Sequence, residues 1–162
     1  MTVTLNEIPA TLDAFSSAAQ MNLTAPENTC AMFLCALQLY LSSKDDGVAA
    51  MNLLRGPRPM SPYDVQFLRD RLLGKEYLPL AYFNGATPQN GYIPSKPYVL
   101  NVLPDPRPQD IEEGYIRVYL KTAGADSPRP VKLRRKGDCW YLWEYSSVLS
   151  GIRIPAEQDP WA

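Results

Sequence analysis

The fold of this chain is decided by one stretch, VKLRRKGDCWYLWEY at residues 131–145. Both halves of the stretch alternate apolar and polar residues, which is typical of strands that bury one face. Between them lies Gly137-Asp138, a pair with glycine first that suits a type II′ turn. The sequence therefore predicts a β-hairpin in which Lys136 pairs with Cys139.

The two faces of this hairpin differ in chemistry, because directly opposed residues share a face. The apolar face holds Val131, Leu133, Arg135, Trp140, Leu142 and Glu144. The other face holds Lys132, Arg134, Lys136, Cys139, Tyr141, Trp143 and Tyr145. A strand predicted at Tyr115–Thr122 divides in the same way, with Ile116, Val118 and Leu120 on the apolar side and Tyr115, Arg117, Tyr119 and Lys121 on the other. We expect the apolar side to pack on helices and the other side to point away from them.

Upstream of these strands the hydrophobic spacing becomes helical. Residues 1–54 carry one base and five acids, and 14 of the 16 prolines follow residue 54. Because proline is poorly tolerated inside helices and central strands, this asymmetry predicts one domain (1–162), with a helical layer (1–76) followed by short strands, ordered loops and a C-terminal tail (77–162). The fold class is α+β, with three to four N-terminal helices on one face of a curved antiparallel sheet of four to six strands.

Individual boundaries follow from capping and turn residues. Helices are predicted over 8–19, from a capping box at Thr24–Glu27 to Tyr40, over 45–54, and from Ser61 to near Gly74. Further strands are predicted at 78–83 and 97–103. Between two helices, Gly56-Pro57-Arg58-Pro59 is too stiff and too poor in N–H groups for a phosphate loop, so it is predicted to be a helix stop and rigid connector.

Composition excludes several functional classes. The chain has no histidine, which removes His-based nucleophile systems, His-ligated metals and His proton shuttles. No metal or cofactor is expected. The net charge of −1 argues against wholesale coating of nucleic acid or of a membrane. Three cysteines cannot pair completely, the N-terminus lacks a basic secretion signal, and no apolar run could span a bilayer, so we expect a cytoplasmic protein.

No catalytic residue is predicted. The adjacent acid pairs Asp45-Asp46 and Glu112-Glu113 are expected to be solvated. Cys139 has no obvious base beside it. The loop at 84–97, with Tyr82 and Tyr92 among its flanking and internal aromatics, has two interpretations: a site that stacks and hydrogen-bonds a polar ligand, or a self-packed plug at the domain edge.

Function depends on the side of the sheet that points away from the helices. We call its central residues the basic-aromatic face: Arg117, Tyr119, Lys132, Arg134, Tyr141 and Trp143. It is either a solvated face stabilised by cation–π contacts, or a surface that binds an unknown protein or a small polar or anionic ligand, with Tyr82 and Tyr92 at its border. Nucleic acid is the least favoured ligand. Three functions stay open: a non-catalytic binding module, a small-molecule isomerase or hydrolase with a carboxylate-based pocket, and a homodimer contact.

Several strings are specific enough to indicate a family. They are GPRPMS (56–61), YFNGATPQNGYIPSKPY (82–98), GADSPRPVKLRRKGDCWYLWE (124–144) and DPWA (159–162). Through them the chain resembles an uncharacterised family of bacterial proteins from about residue 28 onward, and this resemblance implies no activity. More loosely, helices followed by a bent meander are similar to NTF2-like and cystatin-like folds, which host both enzymes and passive binders.

Overall fold

The predicted hairpin is present in the computed structural model, which describes residues 1–162. Strands β4 (Arg129–Lys136) and β5 (Cys139–Glu144) pair antiparallel, with Lys136 opposite Cys139. Gly137 has φ +60° at the first turn position, the backbone conformation that a type II′ turn requires and that side chains disfavour. The glycine therefore sets the register of the hairpin from its tip.

The sheet has five strands in the order β1-β2-β3-β4-β5, all antiparallel. The other strands are β1 (Thr2–Leu5), β2 (Tyr98–Pro104) and β3 (Tyr115–Leu120). Strands β2 to β5 form a meander, and β1 joins its β2 edge from the N-terminus. The sheet curls, and its predicted apolar side holds the buried residues Val118, Leu120, Val131, Leu133 and Leu142.

Four helices lie against this side: α1 (Leu12–Ser17), α2 (Pro26–Ser42), α3 (Lys44–Arg55) and α4 (Pro62–Leu72). Helix α2 is apolar nearly all round and is enclosed, as its sequence predicts. It contacts β1, β2 and β5, because the sheet curls around it. The chain is an α+β fold, and none of its helices is both long and apolar enough to cross a membrane.

Polar contacts cover the free edge of β5. The Trp140 N–H donates to Leu23 O at 2.8 Å, and the Thr29 hydroxyl on α2 donates to Trp140 O at 2.8 Å. Unpaired edge groups invite association with other strands, so these bonds protect the edge while fixing the helical layer on the hairpin.

Three local predictions are wrong. The hydroxyl of Thr24 donates to Asn22 Oδ1 and caps nothing, so α2 begins at Pro26 without a capping box. Strand β1 lies within the predicted helical layer, and α1 is confined to Leu12–Ser17. Residues 79–82 form a 3₁₀ turn, since Pro79 cannot donate to a sheet ladder. By contrast, α4 begins where the sequence predicts, and the structure shows a capping box there: the Ser61 hydroxyl and the carboxylate of Asp64 each accept from the other's backbone N–H.

The hairpin register also differs at its open end. A β-bulge shifts the pairing so that Lys132 lies opposite Glu144 and Trp143 is the extra residue. Glu144 is therefore exposed on the side of Lys132, and not on the apolar face as predicted. Tyr145 is turned the other way: its ring packs 4.9 Å from that of Phe33 in α2.

Candidate functional site

The cations of the basic-aromatic face divide into a neutralised group and a free group. Arg117 pairs with Asp105 at 3.1 Å, and Lys132 pairs with Glu112 at 3.1 Å. A backbone hydrogen bond from Arg107 and the Arg117 guanidinium hold the pKa of Asp105 below its usual value. The backbone N–H of Glu112 and the Lys132 ammonium do the same for the pKa of Glu112. These two cations already have acidic partners.

The free cations meet at a cleft of ≈ 380 Å³ between the α3–α4 connector and the hairpin. We call it the cationic cleft. It is lined by Arg55, Pro57, Arg58, Arg134, Arg135, Lys136, Tyr141, Leu142 and Trp143. Five of these nine residues are basic and none is acidic. The predicted residues Arg134, Tyr141 and Trp143 thus come together here, whereas Arg117, Tyr119 and Lys132 lie elsewhere on the sheet.

Gly56 lets the connector approach the hairpin closely. Its φ of +63° and ψ of −125° turn the chain sharply at the end of α3. A Cβ at this position would lie 2.8 Å from the Tyr141 ring, so the glycine backbone packs directly against that ring. Only glycine satisfies both conditions, and the turn places Arg58 above β5.

Arg55 anchors the connector from inside. Its side chain is 5 % exposed, and its three nitrogens donate to Arg58 O, the Tyr145 hydroxyl and Asp64 Oδ2 at 2.8–3.0 Å. Partial burial raises the pKa of Asp64, but hydrogen bonds from Ser61 and the charge of Arg55 outweigh it and hold that pKa below its usual value. Because Asp64 neutralises it, Arg55 serves as a support for the cleft.

Arg58 projects over the hairpin with most of its hydrogen-bonding capacity unused. Its guanidinium carbon lies 4.0 Å from the Trp143 ring centroid, and Nη2 donates to Trp143 O at 2.7 Å. Its Nε is buried without a partner. Burial lowers the pKa of Arg58, and the nearby charges of Arg55 and Arg134 lower it further. No carboxylate lies within 4.0 Å of the Arg58 guanidinium, so its charge has no acidic partner within the protein.

Arg134 completes this cluster from β4. Its guanidinium carbon lies 4.6 Å from the Trp143 centroid and 5.2 Å from that of Tyr115, and the two rings meet edge to face. Arg134 and Lys136 have no acidic group within 4.0 Å and donate no side-chain hydrogen bond. The aromatic rings thus hold guanidinium groups in place, and cations form the surface offered to a ligand.

Tyr82 and Tyr92 are structural, as in the self-packed interpretation of the 84–97 loop. They are 2 % and 1 % exposed, and their hydroxyls donate to Val148 O and Arg153 O at 2.6 Å. Tyr92 also stacks on Tyr77 at 5.3 Å. Neither ring borders the cationic cleft.

Sequence reasoning missed Arg55 and Arg58. It treated residues 56–59 only as backbone, whereas the side chain of Arg58 is the part that matters. The sequence does contain a signal that could have predicted their proximity: Arg55 and Arg58 lie on either side of the helix stop at Gly56-Pro57. A sharp turn at this stop brings both arginines to the same end of the helical layer.

Asp64 reaches the cleft only through its ion pair with Arg55, and the adjacent acid pairs predicted from the sequence lie away from it. Asp45, Glu112 and Glu113 are exposed, and Asp46 is half-buried at the start of α3. No group of three or more Cys, Asp or Glu residues is arranged to hold a metal ion. The carboxylate-based pocket of the enzyme alternative therefore has no counterpart in the cationic cleft.

Comparison with known proteins gives one positive finding. No curated protein and no solved structure matches the chain, so the similarity to NTF2-like and cystatin-like folds stays a prediction. The resemblance to an uncharacterised family is confirmed. The family model described as "Domain of unknown function (DUF6935)" matches residues 7–156, and the chain belongs to this family.

Proposed function

We propose that this protein is a non-catalytic binding module that holds an anionic ligand, or an acidic surface of a partner protein, in the cationic cleft. The observation that carries the proposal is the cluster of Arg58, Arg134 and Lys136, which share one cleft and have no acidic partner.

The distribution of charge supports this function more than its total does. The chain as a whole carries −1, yet Arg117, Lys132 and Arg55 have acidic partners whereas Arg58, Arg134 and Lys136 have none. A concave site lined by one sign of charge concentrates its field and attracts oppositely charged ligands. Such a field requires the cations to stay unpaired, which costs stability and so favours a functional role.

The chemistry of the lining favours binding over catalysis. It includes no carboxylate, thiol or imidazole, which are the groups that most often transfer protons or act as nucleophiles. Guanidinium groups recognise carboxylates and phosphates through paired hydrogen bonds. The arrangement is thus suited to holding an anion.

The proposal includes a cytoplasmic location, with the bacterial origin that the family resemblance implies. It is supported by three free cysteines, of which Cys30 and Cys35 are buried in α2 and Cys139 is half-buried. Free thiols are typical of reducing compartments.

The proposal is tested by retention on a resin of immobilised polyanion, measured as the salt concentration that elutes the pure protein. Arg134→Glu is expected to elute at much lower salt than the wild type. The matched control is Lys121→Glu, which makes the same change in net charge at an exposed lysine outside the cleft and is expected to elute close to the wild type. Equal elution of both variants would overturn the proposal.

A homodimer that uses the same face is distinguished in parallel. Sedimentation of the wild type at increasing concentration is expected to give one monomeric species. A dimer that Arg134→Glu dissociates would show that the cleft is a subunit contact, and would also overturn the proposal.

A further inference from the structure

We infer that the ligand of the cationic cleft is a small molecule with a multiply charged phosphoryl group, such as a phosphomonoester or a pyrophosphate. This inference rests on the proposed function and narrows it from anions in general to one class. It follows from the number of free cations, the directions from which they come, and the size of the cleft.

The number of free cations favours a multiply charged ligand. Arg55 is neutralised by Asp64. Arg135 alternates to the opposite face of β4 from Arg134 and Lys136, where it pairs with Trp140 and its guanidinium lies over that ring. Three cations remain: Arg58, Arg134 and Lys136. A monocarboxylate would leave two of them uncompensated, whereas a phosphomonoester at neutral pH supplies a charge of about −1.5 to −2.

The directions of the donors favour a tetrahedral group. Arg58 comes from the α3–α4 connector on one side of the cleft, and Arg134 and Lys136 come from β4 on the other. Arg58 uses one of its N–H groups in a protein hydrogen bond, and Arg134 and Lys136 use none. A planar carboxylate offers two oxygens in one plane, while a phosphoryl group offers three that diverge and can accept from donors on both sides.

The donors are held in position before any ligand binds. Both guanidinium groups lie within 5 Å of the Trp143 centroid, and Arg55 fixes the carbonyl of Arg58 from below. Ordering of long side chains is a major cost of binding, and stacking on Trp143 reduces it. Because the two guanidinium groups cover the Trp143 ring, this ring is not free to stack on a nucleic-acid base. The same stacking holds the guanidinium groups in position to bind a phosphoryl group.

The volume of the cleft favours a small ligand. A volume of ≈ 380 Å³ lies at the lower end of the range for sites that bind small molecules, about 300–1,000 Å³. It accommodates a phosphoryl group with a short organic part. A polynucleotide would need an extended groove with free aromatic faces.

The test is isothermal titration of the pure protein with four probes at constant ionic strength: pyrophosphate, inorganic phosphate, malonate and acetate. Pyrophosphate is expected to bind with the highest affinity, and malonate and acetate at least about tenfold more weakly. Arg58→Gln and Arg134→Gln are each expected to weaken pyrophosphate binding about tenfold or more, because each removes charge-assisted hydrogen bonds. Lys121→Gln is the control and is expected to bind like the wild type.

Arg134 is exposed, so its variant keeps the test informative if Arg58→Gln fails to fold. Malonate that binds as tightly as pyrophosphate would overturn the phosphoryl inference. A single-stranded oligonucleotide is titrated as a fifth probe, and the inference would also be overturned if this oligonucleotide binds and pyrophosphate does not. If neither phosphate probe binds but Arg134→Glu still elutes early from the polyanion resin, the ligand class is wrong and the anion-binding function stands. If that variant also elutes like the wild type, both proposals fail.

Discussion

Replacing Gly56 by alanine tests whether the close contact between the connector and the hairpin builds the cleft. Gly56 has φ +63° and ψ −125°, and a Cβ added there would lie 2.8–3.0 Å from three atoms of the Tyr141 ring. An alanine at this position must therefore adopt a strained backbone conformation. Its methyl group must also push the connector away from the Tyr141 ring. Both effects act on the wall that carries Arg58.

The size of the effect follows from these two contributions. A side chain in a sparsely populated backbone region costs about 1–3 kcal/mol, and crowding in a packed site costs about 1–3 kcal/mol more. Alanine recovers about 0.4–1 kcal/mol by restricting the unfolded chain. We expect Gly56→Ala to lower the free energy of unfolding by about 3 kcal/mol.

Gly74 provides the matched control. It also has positive φ (+71°), but a Cβ there would meet no atom within 4 Å. Gly74→Ala carries the backbone cost alone, and we expect it to lose about 1 kcal/mol. For a chain of this length the difference of about 2 kcal/mol corresponds to about 4–8 °C in Tm, which thermal unfolding followed by circular dichroism resolves.

A double-mutant cycle isolates the contact with the ring. In a Tyr141→Ala background the crowding is gone, so Gly56→Ala should cost about 2 kcal/mol less than it does in the wild type. The reasoning is refuted if Gly56→Ala is as mild as Gly74→Ala in the wild type, or if its cost is unchanged when the Tyr141 ring is removed.

Three further predictions concern the support of the cleft, the core and the thiols. Asp64→Asn should lose about 2 kcal/mol at pH 7, because a buried arginine loses its counter-charge while the 28 % exposure of Asp64 moderates the effect. Because folding lowers the pKa of Asp64, this loss of stability should be complete above about pH 4 and should shrink at lower pH, where the wild-type carboxylate becomes protonated. Urea unfolding at several pH values measures the loss, and a loss that does not change with pH would contradict the prediction. Leu142→Ala should cost about 2–5 kcal/mol and Arg134→Ala less than about 1 kcal/mol by the same assay, and the reverse order would place the wrong face of the hairpin against the helices. A thiol reagent should modify one cysteine per native chain and three per unfolded chain, because Cys30 and Cys35 are buried in α2 and burial raises the pKa of both thiols. Cys139→Ser should abolish the reaction of the native protein, and a second reactive thiol in the native protein would contradict the prediction.

The fold could be predicted where local chemistry agrees with long-range packing. The alternation of residues 131–145 and the Gly137-Asp138 turn gave the hairpin, its register at the tip and its buried side. Capping residues gave the start of α4, and continuous hydrophobicity gave the enclosed α2. In each case the same residues that favour the element also bury its apolar face.

Prediction failed where a distant contact decides the local structure. Strand β1 exists because Thr2–Leu5 pairs with β2, about a hundred residues away, and its few residues carry no strong pattern of their own. The bulge at Trp143 has the same kind of cause. Arg58 donates to Trp143 O and Arg55 donates to the Tyr145 hydroxyl, so the helical layer holds the end of β5 in a register that the hairpin alone does not define.

The candidate site shows why composition could point to a basic surface without locating the ligand site on it. Alternation along a strand assigns Arg117, Lys132 and Arg134 to one face. A cation on that face is available to a ligand only if the fold places no carboxylate beside it. Asp105 and Glu112 come from the loop between β2 and β3 and reach the first two residues, while the connector brings Arg58 and no acid to the third. The free charge is thus set by which loop covers which end of the sheet. An acid placed beside Arg134 should weaken pyrophosphate binding at least as much as Arg134→Gln does.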